Sequence, residues 1–154
     1  MKYYVIAGEP SGDLHGSKLM RGIRHNDPEA SFRFSGGDRM AEVGGAENML
    51  YHYKQMSFFG FVQVAMNLRT IFRQIDDVKA DIEGFNPDVI ILIDYPAFNL
   101  RIAKWAKAKG IRVYYYIAPK VWAWKERRVK QLRRYVDRLY TIFPFETEYF
   151  RGHG

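Results

Sequence analysis

The stretch that most constrains this chain is Val89-Ile90-Ile91-Leu92-Ile93, five consecutive aliphatic residues without polar alternation. A strand with one face in water alternates apolar and polar side chains, so an unbroken run predicts a strand covered on both faces, as in a parallel sheet with helices on either side. Short β-rich runs at 2–7, 31–35, 48–51, 112–117 and 138–142 surround it, alternating with helical patterns at 13–25, 61–83, 100–109 and 125–135. Strand, helix, strand in repetition predicts an α/β fold with a doubly wound, mainly parallel sheet. The best-marked helix is 61–83, where Val64, Leu68, Ile71, Phe72, Ile75 and Val78 share one side at a 3.6-residue period, with Arg69, Arg73, Asp76 and Asp77 opposite. A further helical pattern begins at 145–150 just before the chain stops at 154, which reads as an ending in mid-architecture.

Composition removes several classes of function. There is no cysteine, which excludes disulfide scaffolds, Cys-ligated zinc and thiol nucleophiles together and points to a reducing compartment. The opening Met1-Lys2-Tyr3-Tyr4-Val5-Ile6-Ala7 lacks a signal peptide's apolar core, and no run approaches the roughly 18 apolar residues of a membrane-spanning helix. The net charge of +7 is regional: residues 101–134 hold twelve Lys and Arg against the single acid Glu126, while the remainder is net negative. Such a region should meet something anionic, which leaves nucleic acid, a phosphorylated ligand and anionic lipid as candidates.

In a parallel α/β sheet, ligands collect where strands end at their carboxyl termini. Three loops there are unusual. Gly8-Glu9-Pro10-Ser11-Gly12-Asp13 follows the first strand and opens a helix; its glycines allow close backbone approach, Ser11 or Asp13 can cap, and the helix terminus favours an anion. It matches neither a P-loop nor the dinucleotide fingerprint. Asp94-Tyr95-Pro96-Ala97-Phe98-Asn99 follows the most apolar strand, so a carboxylate in a cleft partly dried by Tyr95 and Phe98 can act as a general base or shape the turn; Asn99 reads as the next helix's N-cap. The third, residues 118–125, carries Trp122 and Trp124, a platform for a sugar ring or anchors for the loop. Phe59, Phe61, Val62 and Met66, beside Arg69 and Arg73, form an apolar patch with a basic rim outside the helix stripe, suited to a membrane surface or to cover by another domain.

Taken in order, Ala7 to Asp13, Gly36-Gly37-Asp38-Arg39-Met40, Met56 to Val64, Pro87-Asp88 through Asn99, Pro119 to Trp124 and Phe143-Pro144-Phe145-Glu146 resemble the amino-terminal half of the lipid-A-disaccharide synthase family. The resemblance implies a Rossmann-like domain, the first of two in a GT-B glycosyltransferase, spanning 1–154, with the carboxy-terminal UDP-sugar domain outside this chain and the fragment alone inactive. It further implies an inverting transfer from UDP-2,3-diacylglucosamine to 2,3-diacylglucosamine 1-phosphate, giving a β(1→6) disaccharide and UDP. By similarity Asp94 is the catalytic base, and Glu9, Ser11, Gly12, Asn99, Trp122 and Trp124 contact substrate. Phe59, Phe61, Val62, Met66, Arg69 and Arg73 meet the anionic cytoplasmic face of a bacterial inner membrane. No metal or other cofactor is implied, and a homo-oligomer is left open. The chain departs from the family pattern at Ala97, Asp38, Gln63 and Ala118, where Asp, Pro, Glu and Ser are common. Two other readings compete, a basic nucleic-acid-binding module and another sugar-nucleotide enzyme of Rossmann type.

Overall fold

The computed structural model describes residues 1–56, 61–117, 126–141 and 144–152. Six strands, β1 (Lys2–Ala7), β2 (Ser31–Gly36), β3 (Met49–His52), β4 (Val89–Ile93), β5 (Arg112–Tyr116) and β6 (Arg138–Tyr140), form one sheet in the order β3-β2-β1-β4-β5-β6. Every neighbouring pair is parallel, and β1 is flanked by β2 and β4, with Ala7 level with Ile93. The doubly wound reading of the sequence is therefore correct. The last two strands close one residue or more before the expected ends, at Tyr116 and Tyr140.

The aliphatic run explains itself in this setting: all five residues of β4 are buried. Ile90 and Leu92 join Tyr4, Ile6, Val113 and Tyr115 in one layer, beneath α5 (Leu68–Phe85), α6 (Pro96–Ala108) and α7 (Glu126–Tyr135). Val89, Ile91 and Ile93 join Val5, Ala7, Phe32 and Phe34 in the other, beneath α1 (Pro10–Asn26) and α2 (Asp38–Gly44). The period-two alternation of the strands sorts each residue to its layer. The short helices α3 (Tyr53–Met56), α4 (Phe61–Met66) and α8 (Pro144–Gly152) complete the set.

Three expectations need correction. The helix over 61–83 is two helices: Asn67 leaves helical geometry at φ −114 and ψ 17, while its side-chain amide donates to Gln63 O at 2.8 Å, a local bond that competes with helix continuation. The apolar stripe is consequently packed only in its second half. Ile75 and Val78 are buried, with Ile82 one turn on, whereas Val64, Leu68 and Phe72 are 37, 47 and 45% exposed. A helix of 18 residues is about 27 Å long, against roughly 17 Å for a five-residue strand, and α5 runs antiparallel to β4, so its first turns overhang the carboxyl edge of the sheet. The helix starts also shift: α1 begins at Pro10 and α6 at Pro96, each with proline in the first turn, where its missing N–H costs nothing. Tyr95, and not Asn99, is the N-cap residue of α6.

Candidate active site

The strand order reverses between β1 and β4, so the loops after these two strands flank the crevice in which ligands of this architecture bind. After β1, Glu9 holds the N-cap position in extended backbone (φ −143, ψ 159) without using its side chain as a cap. Ser11 is exposed, and Gly12 is buried with a notional Cβ 3.1 Å from that of Ala7, so that glycine lets α1 lie close on the strand. Asp13 is 3% exposed and caps a different helix from the one expected: its carboxylate accepts from Gly37 N at 2.9 Å, Met40 N at 3.0 Å and Arg39 N at 3.2 Å, closing the first turn of α2 from the neighbouring α1. That turn belongs to the Gly-Gly-Asp-Arg-Met segment, so two of the motifs noted in the sequence are tied together by one buried carboxylate. Asp38, the departure at its head, lies 3.2 Å from His52 Nε2 at the end of β3.

After β4 the backbone turns through two consecutive left-handed residues, Asp94 (φ 44) and Tyr95 (φ 47, ψ 58). Neither is glycine, and a left-handed position costs a non-glycine residue on the order of 1 kcal/mol or more, so the surroundings must hold it. They do so from both sides. The Asp94 carbonyl accepts from the Tyr115 hydroxyl and from Asn99 Nδ2 at 2.9 Å, and Asn99 Nδ2 also lies 3.3 Å from Ile93 O. The Tyr95 hydroxyl donates to Met56 O at 2.5 Å, and its ring stacks on Phe98 with centroids 5.6 Å apart. Gly8 lies beneath that ring, where a Cβ would overlap it. Asp94 itself is half-buried, whereas Asn99 is wholly buried with its Nδ2 committed to the backbone.

Burial, followed by the charge of Glu9, pushes the Tyr95 hydroxyl up to about 12. Burial, followed by the charge of Asp94, raises the Tyr115 hydroxyl well above the usual range, while Arg128 on α7 pulls the other way. Both phenols stay protonated and serve as donors. Beside this turn the overhanging Val64, Leu68 and Phe72 line a hollow of about 420 Å³ with Tyr95, Phe98 and Arg128. Val62 and Met66 are 68 and 79% exposed, Arg69 and Arg73 are exposed, and Arg101 stands 5.2 Å over the Phe72 ring. The exposed apolar surface is thus wider than the expected patch, because the break at Asn67 and the overhang of α5 leave part of the stripe unpacked. Phe59, Trp122, Trp124 and the side chain of Phe61 lie outside the described residues. In the basic region, Lys107 pairs with Asp137 and Lys109 with Glu83, at 3.2 and 3.4 Å. Among the described residues, no helix is long and apolar enough to cross a membrane, and no three His, Asp or Glu side chains gather as a metal site.

Such a sheet, with its carboxylate and helix terminus at the switch point, is a Rossmann-like domain matching the first half of a GT-B-type fold. Solved structures agree at the level of fold: an UDP-N-acetylglucosamine 2-epimerase from Listeria monocytogenes, described as putative, superposes with a TM-score of 0.69 at 12% identity over 99% of this chain and 41% of its own. The UDP-GlcNAc 2-epimerase from Neisseria meningitidis gives 0.59, also at 12% identity, covering 43% of that chain. The sequence profile of the Lipid-A-disaccharide synthetase family matches residues 3–154, and the chain belongs to that family. Lipid-A-disaccharide synthases from Geobacter metallireducens and Chromohalobacter salexigens are 42% and 38% identical over 150 and 153 residues. Those alignments cover 97% and 99% of this chain but 38% and 39% of the relatives, so the chain spans well under half their length.

Proposed function

We propose that this chain is the acceptor-side domain of a lipid-A-disaccharide synthase and that Asp94 is its general base. The observation that carries the reading is the placement of Asp94: a half-buried carboxylate at the switch point, on a left-handed turn held from two sides, in a chain matched by that family from residue 3 to 154. In the reaction, the 6-hydroxyl of 2,3-diacylglucosamine 1-phosphate attacks the anomeric carbon of UDP-2,3-diacylglucosamine. Asp94 takes the hydroxyl proton, the new C–O bond forms with inversion, and the UDP oxygen leaves with the electron pair of the broken bond. Positioned base catalysis of this kind contributes about 100-fold to 10,000-fold.

Glu9 and Ser11 line the acceptor side, with Gly12 packed on β1 behind them, and the amino terminus of α1 favours a negative group there. The donor's nucleotide is held by a second domain outside this chain, so the 154 residues alone do not turn over. Val62 and Met66, with Arg69 and Arg73, rest on an anionic membrane surface, which brings acylated substrates to the cleft at the cytoplasmic face of the inner membrane. The overhanging Leu68 and Phe72 extend that surface. The test is to supply the full-length protein with both diacylated substrates and follow UDP release and disaccharide formation together. The reading expects release only when both substrates are present, whereas release without the acceptor, or turnover of an unacylated pair at the same rate, would contradict it.

A further inference from the structure

We propose that Tyr115 and Asn99 are positioning residues for Asp94, holding the peptide that follows it so that its carboxylate stays at the mouth of the crevice; the proposal rests on the reading of Asp94 as base. Had β4 continued in extended form, residue 94 would fall in the layer of Ile90 and Leu92, because alternate residues share a face. The left-handed pair takes the chain out of that alternation at the position where the carboxylate is needed. Left-handed backbone at one non-glycine residue is uncommon, and two in succession require support from outside the turn.

That support converges on one atom. The Tyr115 hydroxyl, from β5, and Asn99 Nδ2, from the first turns of α6, both donate to the Asp94 carbonyl. Both donor residues are 0% exposed, so neither reaches a ligand in the crevice and any influence on chemistry passes through Asp94. The two come from different elements, which fixes the carbonyl direction in two dimensions and with it the torsions on either side. On the far side of the peptide, Tyr95 is pinned by Met56 O and the Phe98 ring. Helix formation does not need this arrangement. Proline at the start of α6 and the bond from Asn99 N to Tyr95 O at 3.0 Å already open the helix, so the two side-chain donors act on the turn itself.

The test uses Tyr115→Phe, which removes one oxygen, and Asn99→Ala, each in the full-length enzyme and in this chain. Rates should fall about tenfold to hundredfold in kcat with KM for both substrates within about twofold, the pattern of a misaimed group rather than a lost contact. In NMR spectra of the 154-residue chain, the couplings and carbon shifts of residues 94 and 95 should move away from left-handed values. Tyr4→Phe is the control: it strips an equally buried hydroxyl, bonded at 2.7 Å to Asp81, and should lower stability with kcat unchanged. If Asn99→Ala unfolds the protein, Tyr115→Phe decides. Wild-type kcat in Tyr115→Phe, or residues 94 and 95 still left-handed in it, overturns the proposal. If instead Asp94→Asn keeps the wild-type rate, the base reading fails, and the resonances still decide whether Tyr115 and Asn99 hold the turn.

Discussion

Replacing Asp13 by alanine should destabilise the domain by about 3 kcal/mol, although the residue closes a sequence motif whose pattern suggests ligand binding. The carboxylate is 3% exposed and accepts three backbone N–H groups at 2.9, 3.0 and 3.2 Å. A hydrogen bond to a charged group is worth about 1.5–3 kcal/mol net, and loss of a helix cap alone about 0.5–2 kcal/mol. The bonds to Gly37 and Met40 are buried and the one to Arg39 is partly so, so water cannot replace them all; but bonds sharing one acceptor are not additive, which keeps the expected cost at about 2–4 kcal/mol. For a chain of this size that lowers Tm by roughly 4–16 °C. Asp13→Asn keeps an acceptor oxygen and should lose about half as much. Urea unfolding followed by circular dichroism measures both variants, and the dependence on urea should keep its slope. Asp13→Ala within about 1 kcal/mol of the parent would refute the claim that this carboxylate closes α2.

Gly8→Ala should cost about 1–3 kcal/mol by driving a methyl into the pinned Tyr95 ring. Gly22→Ala, on α1 where a Cβ meets nothing within 4 Å, should gain about 0.5–1 kcal/mol in the same urea assay. Asp137 predicts a pH effect: burial opposes its charge, but the bond from Val113 N at 2.8 Å and Lys107 at 3.2 Å outweigh it and hold the carboxyl below its usual range. Its folded-state value lies below the unfolded one, so its stabilisation is complete above the unfolded value near about 4 and is lost as pH falls through the folded value. Asp137→Asn should flatten that acid limb, and an unchanged urea midpoint profile between pH 6 and 3 in the variant would contradict the pairing. Val62→Ser with Met66→Ser, at positions 68 and 79% exposed, should leave stability within about 0.5 kcal/mol while reducing binding to anionic vesicles; unaltered vesicle binding removes the membrane role.

The sheet was readable in advance because its strands carry their own signal: short runs rich in β-branched and aromatic residues, the aliphatic one at five residues being too short for a buried helix, and all six strands lie where the runs are. The short helix α2 was not readable, since seven residues give too little period, and its first turn is completed by Asp13 of α1, 24 or more positions earlier in the sequence. The break at Asn67 was hidden by an apolar stripe that runs straight across it, because periodicity reports which residues would share a face and not whether a sheet lies beneath them. The starts of α1 and α6 were signalled by Pro10 and Pro96, and reading Asn99 as a cap overrode the second signal. At the site, Asp94 was identifiable from its place after β4. The left-handed turn and its donors were not, because Tyr115 lies 21 positions away and its hydroxyl meets Asp94 only once β5 has paired with β4.

The central claim is that Asp94 removes the acceptor's proton, and the direct measurement is the rate of disaccharide formation by full-length protein carrying Asp94→Asn, with both substrates saturating. The substitution keeps the size and shape of the side chain but removes the basicity of the carboxylate. The account predicts a loss of about 100-fold to 10,000-fold in kcat with little change in KM. A variant that transfers at the wild-type rate would contradict it.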